Sequence, residues 1–411
     1  MKWRDPEQVV RLMAARHPRL FWLDGAVADP RRSIVGWLEP GDTSLAVPTG
    51  RDPFAPTALL LDDLQPHELL VGWFGYAART DLPAIRADGP VPDSLWMRAS
   101  RYLVFDHEAA TVTPVGFDDV PDLLGADLPE EAPQYATEVA RWPVRDYREA
   151  FDRVQEALRR GDTYETNLTY RVGVRSEEAP LGVYRRLRRL NPSPYAAYIQ
   201  YDGVAVLSSS PERFARIKGG EIETRPIKGT TPRSDDRETD AAHARMLTTD
   251  PRLRAENLII TDLLRNDLSV VCEPGTVTVP DLMRVESYAS VHQLVTTVRG
   301  RLRPEVGVAD AVRELFPAGS MTGAPKLRTM QLIADVESTP RGVYSGCLGW
   351  MGPGSADLAV VIRTLVHDGA TYVAGTGGGI TVASDAESEH AEAEHKVSRL
   401  FLALGAGQLL D

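Results

Sequence analysis

Cysteine is scarce in this chain, and long apolar runs are missing. The 411 residues include two cysteines, Cys272 and Cys347, in separate strand-like segments with no metal-binding spacing. A reduced compartment is the simpler reading. No apolar run approaches the roughly 20 residues that a membrane span needs. The opening residues, Met1-Lys2-Trp3-Arg4-Asp5-Pro6, have no apolar signal core. A soluble, cytoplasmic protein is expected. Positive charge is also in deficit: 46 Lys and Arg stand against 58 Asp and Glu, a net charge of -12. This argues against a nucleic-acid partner or an anionic membrane surface. It leaves room for a local basic pocket around an anionic substrate. Several catalytic signatures are absent too. There is no Ser/His/Asp or Cys/His set in a recognisable local context, and no Gly-Lys-Ser/Thr phosphate loop. The run Gly375-Thr376-Gly377-Gly378-Gly379 is not a dinucleotide fingerprint, because no helix opens on its third glycine.

The composition is that of a globular protein, 43% apolar and 25% charged. Its length suits two or three domains or one large core. Residues 1–126 alternate short helical and strand-like pieces and form an N-terminal α/β region, packed on the rest or interleaved with it. Trp22, Trp37 and Trp73 are expected in its core. The acidic, proline-bearing stretch around 127–145 reads as a linker. Residues 146–411 form the second unit. There, hairpins outnumber strand–helix–strand crossovers. An α+β fold is predicted, with two packed antiparallel sheets and helices on the outside.

Chemistry gathers around one hairpin. Arg213–Lys218 and Glu221–Pro226 read as strands joined by Gly219-Gly220. Glu212 opens one strand and Lys228 follows the other, so both can face one pocket. Two readings are open: a salt bridge at a sheet edge, or an acid beside an amine nucleophile. Two acidic helices offer further carboxylates, Glu256 on one and Glu389 and Glu392 on the other. Solvated helix faces would explain them, as would a Mg2+ ion completed by water and substrate oxygens. Arg363, in the middle of a predicted strand over 358–367, needs an anion, and a carboxylate is its best partner. The glycines Gly377, Gly378 and Gly379 let backbone N–H groups approach an anion. The loop before Lys326 leads into a helix N-terminus that favours one. Together these features describe a pocket for a small dianion with a hydroxyl to lose. Lysine would need burial to lower its pKa before it could attack near neutral pH.

The motifs Ser-Pro-Glu212-Arg-Phe, Pro-Ile-Lys228-Gly-Thr, Ala-Glu256-Asn-Leu-Ile-Ile, Phe-Pro-Ala-Gly-Ser320-x-Thr322-Gly-Ala-Pro-Lys326 and Gly-x-Tyr344-Ser-Gly together resemble the chorismate-utilising enzymes, over roughly residues 146 to 405. The resemblance implies a Mg2+-dependent enzyme acting on chorismate. Within such a family position 228 divides the activities: Ala is typical of anthranilate-forming members, whereas Lys marks those that aminate chorismate at C4. It implies that Lys228 attacks C2 while Glu212 protonates the departing C4 hydroxyl. It also implies that Glu256 and Glu392 hold Mg2+, with Glu389 in the same shell. Tyr344, Arg363, the Gly377 to Gly379 loop, Thr322, Lys326 and His292 would line the substrate. Glu165 stands where the family often has Gln and where water-using relatives carry a lysine base, which counts against water as the nucleophile. No glutaminase cysteine is present, so a separate glutamine amidotransferase subunit is implied as the ammonia source. The alternatives are an anthranilate-forming enzyme and a non-catalytic chorismate sensor.

Overall fold

The computed structural model describes residues 3–28, 30–117, 147–288 and 291–405. The expected linker over 127–145 lies outside them. Two antiparallel sheets of ten strands each form the body. In the first, the order is Gly323–Ala324, Glu165–Arg175, Thr371–Ile380, Thr364–His367, Val204–Ser210, Tyr195–Tyr201, Arg19–Asp24, Arg32–Trp37, Tyr102–Asp106 and Thr111–Val115. The second runs Ile227–Pro232, Val291–Arg301, Glu221–Arg225, Arg213–Lys218, Ser355–Val360, Cys347–Gly352, Leu69–Phe74, Ser94–Ala99 and Ser44–Val47, with Thr278–Ser287 also paired to Val291–Arg301. N-terminal strands thus complete both sheets. The segment before residue 118 is woven into the same body as the rest, not set beside it.

Alternation along each strand builds the layers. Leu20 and Trp22 pack with Val9, Met13, Tyr184, Leu187, Val397 and Leu400 of the helices Pro6–Ala14, Pro180–Leu190 and Ala386–Phe401. Phe21, between them, meets Trp73, Leu95 and Leu348 of the second sheet. That sheet's other face buries Leu70, Phe74, Ile217 and Leu358 against the helices Phe54–Asp62, Pro251–Val271 and Val308–Leu315. Both faces of both sheets are covered, which is why Leu-Phe-Trp-Leu and Leu-Leu-Val-Gly-Trp-Phe are apolar throughout. Trp22, Trp37 and Trp73 are all buried.

One predicted strand divides. The stretch 358–367 crosses from one sheet to the other between Val360 and Thr364. Arg363 sits at that crossing with φ 49°, in the left-handed region rather than in a strand. Such a backbone turns the chain sharply, and the apolar residues on either side serve different sheets.

Candidate active site

The central hairpin forms as its sequence dictates. Gly219 and Gly220 have φ of 60° and 77°, the pair of positive angles that a type I′ turn requires. Arg213 lies opposite Arg225, and Lys218 opposite Glu221. Glu212 and Lys228 do not pair with one another. Glu212 is 6% exposed, and its Oε1 accepts a hydrogen bond from the Ser320 hydroxyl at 2.7 Å. Burial pushes its carboxyl up to about 7, against the opposing pull of the Ser320 hydrogen bond and the Lys228 charge. A carboxyl held there keeps a proton near neutrality, which is what a general acid needs.

Lys228 lies on the short strand Ile227–Pro232. Its ammonium donates to Glu165 Oε1, on the strand Glu165–Arg175 of the other sheet. Burial lowers the lysine's pKa, as expected, but the facing carboxylates of Glu165, Glu256 and Glu212 outweigh it, and the net direction is upward. The free enzyme therefore holds this amine as an ammonium, contrary to the depressed pKa anticipated from burial alone. The strand carrying Glu165 is pinned from behind. Arg341 Nη2 donates to the Asn167 carbonyl at 2.8 Å and to Glu337 Oε1 at 2.6 Å, and Glu337 Oε1 in turn accepts from the Thr169 amide at 2.9 Å.

Acidic residues converge on the same space. Glu256, on the helix Pro251–Val271, and Glu389, on the helix Ala386–Phe401, are both buried and share one cation. Arg252 Nε donates to Glu256 Oε1 at 3.1 Å, and Arg252 Nη2 donates to Glu389 Oε1. Burial raises the Glu256 pKa. Glu392 is 60% exposed at its side chain and pairs with Lys396 at 2.8 Å. Burial acts upward on Glu392, but Lys396, with Arg252 and Lys228, outweighs it and the pKa is lowered. The two carboxylates joined through one cation are Glu256 and Glu389, not Glu256 and Glu392. Arg252 carried a readable signal, since it lies four residues before Glu256 on the same helix face.

Arg363 and the Gly377–Gly379 run are the elements expected to bind an anion. Arg363 is half-buried, and its guanidinium has no hydrogen bond or ion pair with any described residue. Burial lowers its pKa, and Arg399 adds to the effect. An unpaired guanidinium in such a setting is an anion receptor. Gly377, Gly378 and Gly379 prove to be strand rather than loop, paired with Thr169, Leu168 and Asn167. Thr364–His367 covers only Tyr372–Ala374, so among the described residues no strand lies against the other edge of Gly375–Ile380. Lys396 already bonds the Gly377 carbonyl there at 3.1 Å. Tyr344 is buried with its ring against Gly375, where any Cβ would clash, and Arg171 stacks 4.9 Å from its centroid.

Similarity to known proteins shows the family. The family model of chorismate binding enzymes matches residues 41–401. This chain belongs to that family. It is 42% identical to the aminodeoxychorismate synthase of Streptomyces pristinaespiralis, over 97% of this chain and 64% of that protein. It is 38% identical to aminodeoxychorismate synthase component 1 of Klebsiella aerogenes, over 82% of this chain and 78% of that one. The chain thus spans less than two thirds of the Streptomyces protein. Among solved structures, anthranilate synthase component I from Streptococcus pneumoniae superposes with a TM-score of 0.79 at 26% identity, covering 90% of this chain and 92% of that one. The α+β fold of two antiparallel sheets with outer helices is the fold of the family.

Three residues expected at the pocket have other partners. His292 is 3% exposed and held at both ring nitrogens, Nδ1 2.7 Å from Ser287 Oγ and Nε2 3.0 Å from Asp240 Oδ1. Lys326 makes an ion pair with Asp267 at 2.7 Å and donates to the Leu315 carbonyl at 2.9 Å, so its ammonium is spent on the scaffold. Thr322 turns its buried hydroxyl to the Ala318 and Gly319 carbonyls, both at 3.3 Å. In each case a local motif identified a residue with a fixed place, but its polar atoms serve the fold. Ser320, two residues before Thr322, is the one that reaches the acid.

Proposed function

We propose that this chain is the chorismate-aminating component of an aminodeoxychorismate synthase. In this reading it converts chorismate and ammonia to 4-amino-4-deoxychorismate, and the ammonia comes from a separate glutamine amidotransferase subunit. The observation that carries the reading is the pairing of functions at the hairpin: the Lys228 ammonium, and at Glu212 a buried carboxyl pushed up to about 7 by burial. The Lys228 nitrogen, once its ammonium has given up a proton, forms a bond to C2 of chorismate. The ring double bonds shift, the C4–O bond breaks, and Glu212 gives its proton to the leaving oxygen. Ammonia then bonds to C4, the double bonds shift back, and the C2–N bond breaks to release the lysine. Arg363, the open edge of Gly375–Ile380 and the Tyr344 wall supply the grip on the enolpyruvyl carboxylate.

The donor set around Arg252 suits Mg2+. Among the described residues there is no cluster of three metal-ligating side chains, but Mg2+ takes only one or two carboxylates and completes its shell with water and substrate oxygens. Glu256 and Glu389 already share a cation, the Arg252 guanidinium, which stands in for the ion. A Cβ at Gly378 would come within 3.2 Å of Glu389 Oε2, so glycine keeps that flank open. Mg2+ held by Glu256 and Glu389 would bind the ring carboxylate and offset its charge.

The test is the product. Purified protein with chorismate, Mg2+ and ammonium salt is expected to yield 4-amino-4-deoxychorismate by mass spectrometry, without release of pyruvate. Formation of anthranilate together with pyruvate would overturn the proposal.

A further inference from the structure

Glu165 is the least explained group in the pocket. It is 1% exposed, and its carboxylate has one hydrogen-bond partner among the described residues, the Lys228 ammonium, on Oε1. Oε2 is buried with no partner. Glu337, bonded to the same strand at Thr169, is by contrast fully supplied with donors. It accepts from Arg341, from the Thr169 amide and from the Thr169 hydroxyl. No comparable set of donors surrounds the Glu165 carboxylate among the described residues. The surroundings are also tight. A Cβ at Gly379 would lie 2.5 Å from Glu165 Oε1 and 3.2 Å from Lys228 Nζ, so the backbone closes directly over the pair.

We propose that Glu165 is the base that takes the proton from Lys228 as the amine attacks, and returns it when the lysine leaves. This rests on Lys228 acting as the nucleophile. An N–H bond of the ammonium breaks and an O–H bond forms on Glu165, while the nitrogen keeps the electron pair that bonds to C2. An ion pair becomes a neutral pair, so the net charge of the two groups stays at zero. Burying a neutral pair costs less desolvation than burying two ions, and substrate entering the pocket displaces water, which favours the transfer. When ammonia expels the lysine from C2 as a neutral amine, the proton on Glu165 restores the ammonium. The other charged groups facing Lys228 are Glu212, ahead of the hairpin, Glu256 on the helix Pro251–Val271, and Glu392 on the helix Ala386–Phe401. Of these carboxylates, Glu165 is the one hydrogen-bonded to the amine.

The test separates a base from a mere counter-ion. The sequence has five lysines, Lys2, Lys218, Lys228, Lys326 and Lys396, so Lys228 can be followed individually by acetic anhydride labelling and mass spectrometry. In Glu165→Gln the ammonium loses its counter-ion, and labelling of Lys228 is expected to become faster at a given pH. At the same time kcat for amination should fall on the order of 100-fold, as for loss of a general base, with KM for chorismate unchanged or lower. A counter-ion alone would give faster labelling with equal or higher kcat, and that result overturns the proposal. Glu165→Asp keeps a carboxylate farther from the amine and is expected to recover part of kcat; an Asp variant no better than Gln also overturns it. Lys228→Ala tests the parent reading separately. Unchanged amination in that variant removes the nucleophile itself, whereas low activity in Lys228→Ala with full activity in Glu165→Gln removes the base alone.

Discussion

Glu212→Gln isolates the buried acid, because glutamine keeps the shape and the Ser320 contact while being unable to ionise. The wild-type carboxyl titrates near 7 in the folded protein against 4.5 in the ordinary case, chiefly because burial penalises the charge. The raised value fixes the sign. The protonated form is the one the fold prefers, so its contribution is complete below about pH 4.5 and is lost as the pH rises through 7. At roughly 1.4 kcal/mol for each pH unit across that window, an ionised Glu212 weakens the folded state by about 3 kcal/mol. The glutamine variant escapes this penalty. Its stability relative to wild type, measured by urea denaturation, should therefore grow between about pH 4.5 and 7 and level off by about pH 8. Catalysis should run the other way. Wild-type kcat/KM is expected to fall above an apparent pKa near 7, where the acid loses its proton. Glu212→Gln should lose most of its activity at every pH. A stability difference that stays constant from about pH 5 to 8 would refute the reasoning, because it would mean that Glu212 ionises like an exposed carboxylate.

Two further substitutions address the residues around it. Arg252→Gln releases Glu256 and Glu389 from their shared guanidinium, so binding of Mn2+ followed by electron paramagnetic resonance should tighten several-fold, while the metal-free protein melts at a lower temperature. Unchanged Mn2+ affinity would remove these two carboxylates from the metal site. Lys326→Met strands the buried Asp267 carboxylate and is expected to destabilise the protein by about 3–5 kcal/mol in chemical denaturation, with little change in KM for chorismate. A large rise in KM without loss of stability would return Lys326 to the substrate pocket.

Much of the fold was legible because its determinants are local. Gly219-Gly220 specifies its turn through backbone freedom that other residues lack. Hairpin-dominated spacing from residue 195 onward indicates antiparallel sheets. The acidic helices appear at Pro251–Val271 and Ala386–Phe401, close to where their composition suggested. Local pattern misread Arg363 and the Gly377–Gly379 run for one shared reason. An apolar stretch has the same periodicity whether it stays in one sheet or changes sheets, and a glycine run is equally compatible with a turn and with a strand that must leave space beside it.

The sequence by itself determined the inventory of the candidate site: an acid and an amine at the two ends of one hairpin, and carboxylates on two helices. Tertiary structure decided the partners. Lys228 meets a carboxylate 63 positions away in the chain, and Glu212 meets a hydroxyl 108 positions away. Hydrogen bonds of that kind depend on how two sheets and their outer helices pack, and no local spacing encodes them. The charge state of the amine follows the same logic. Burial alone argued for a lowered pKa, but two of the opposing carboxylates, Glu165 and Glu256, lie on the other sheet and on an outer helix, so only the assembled fold could show that they outweigh it.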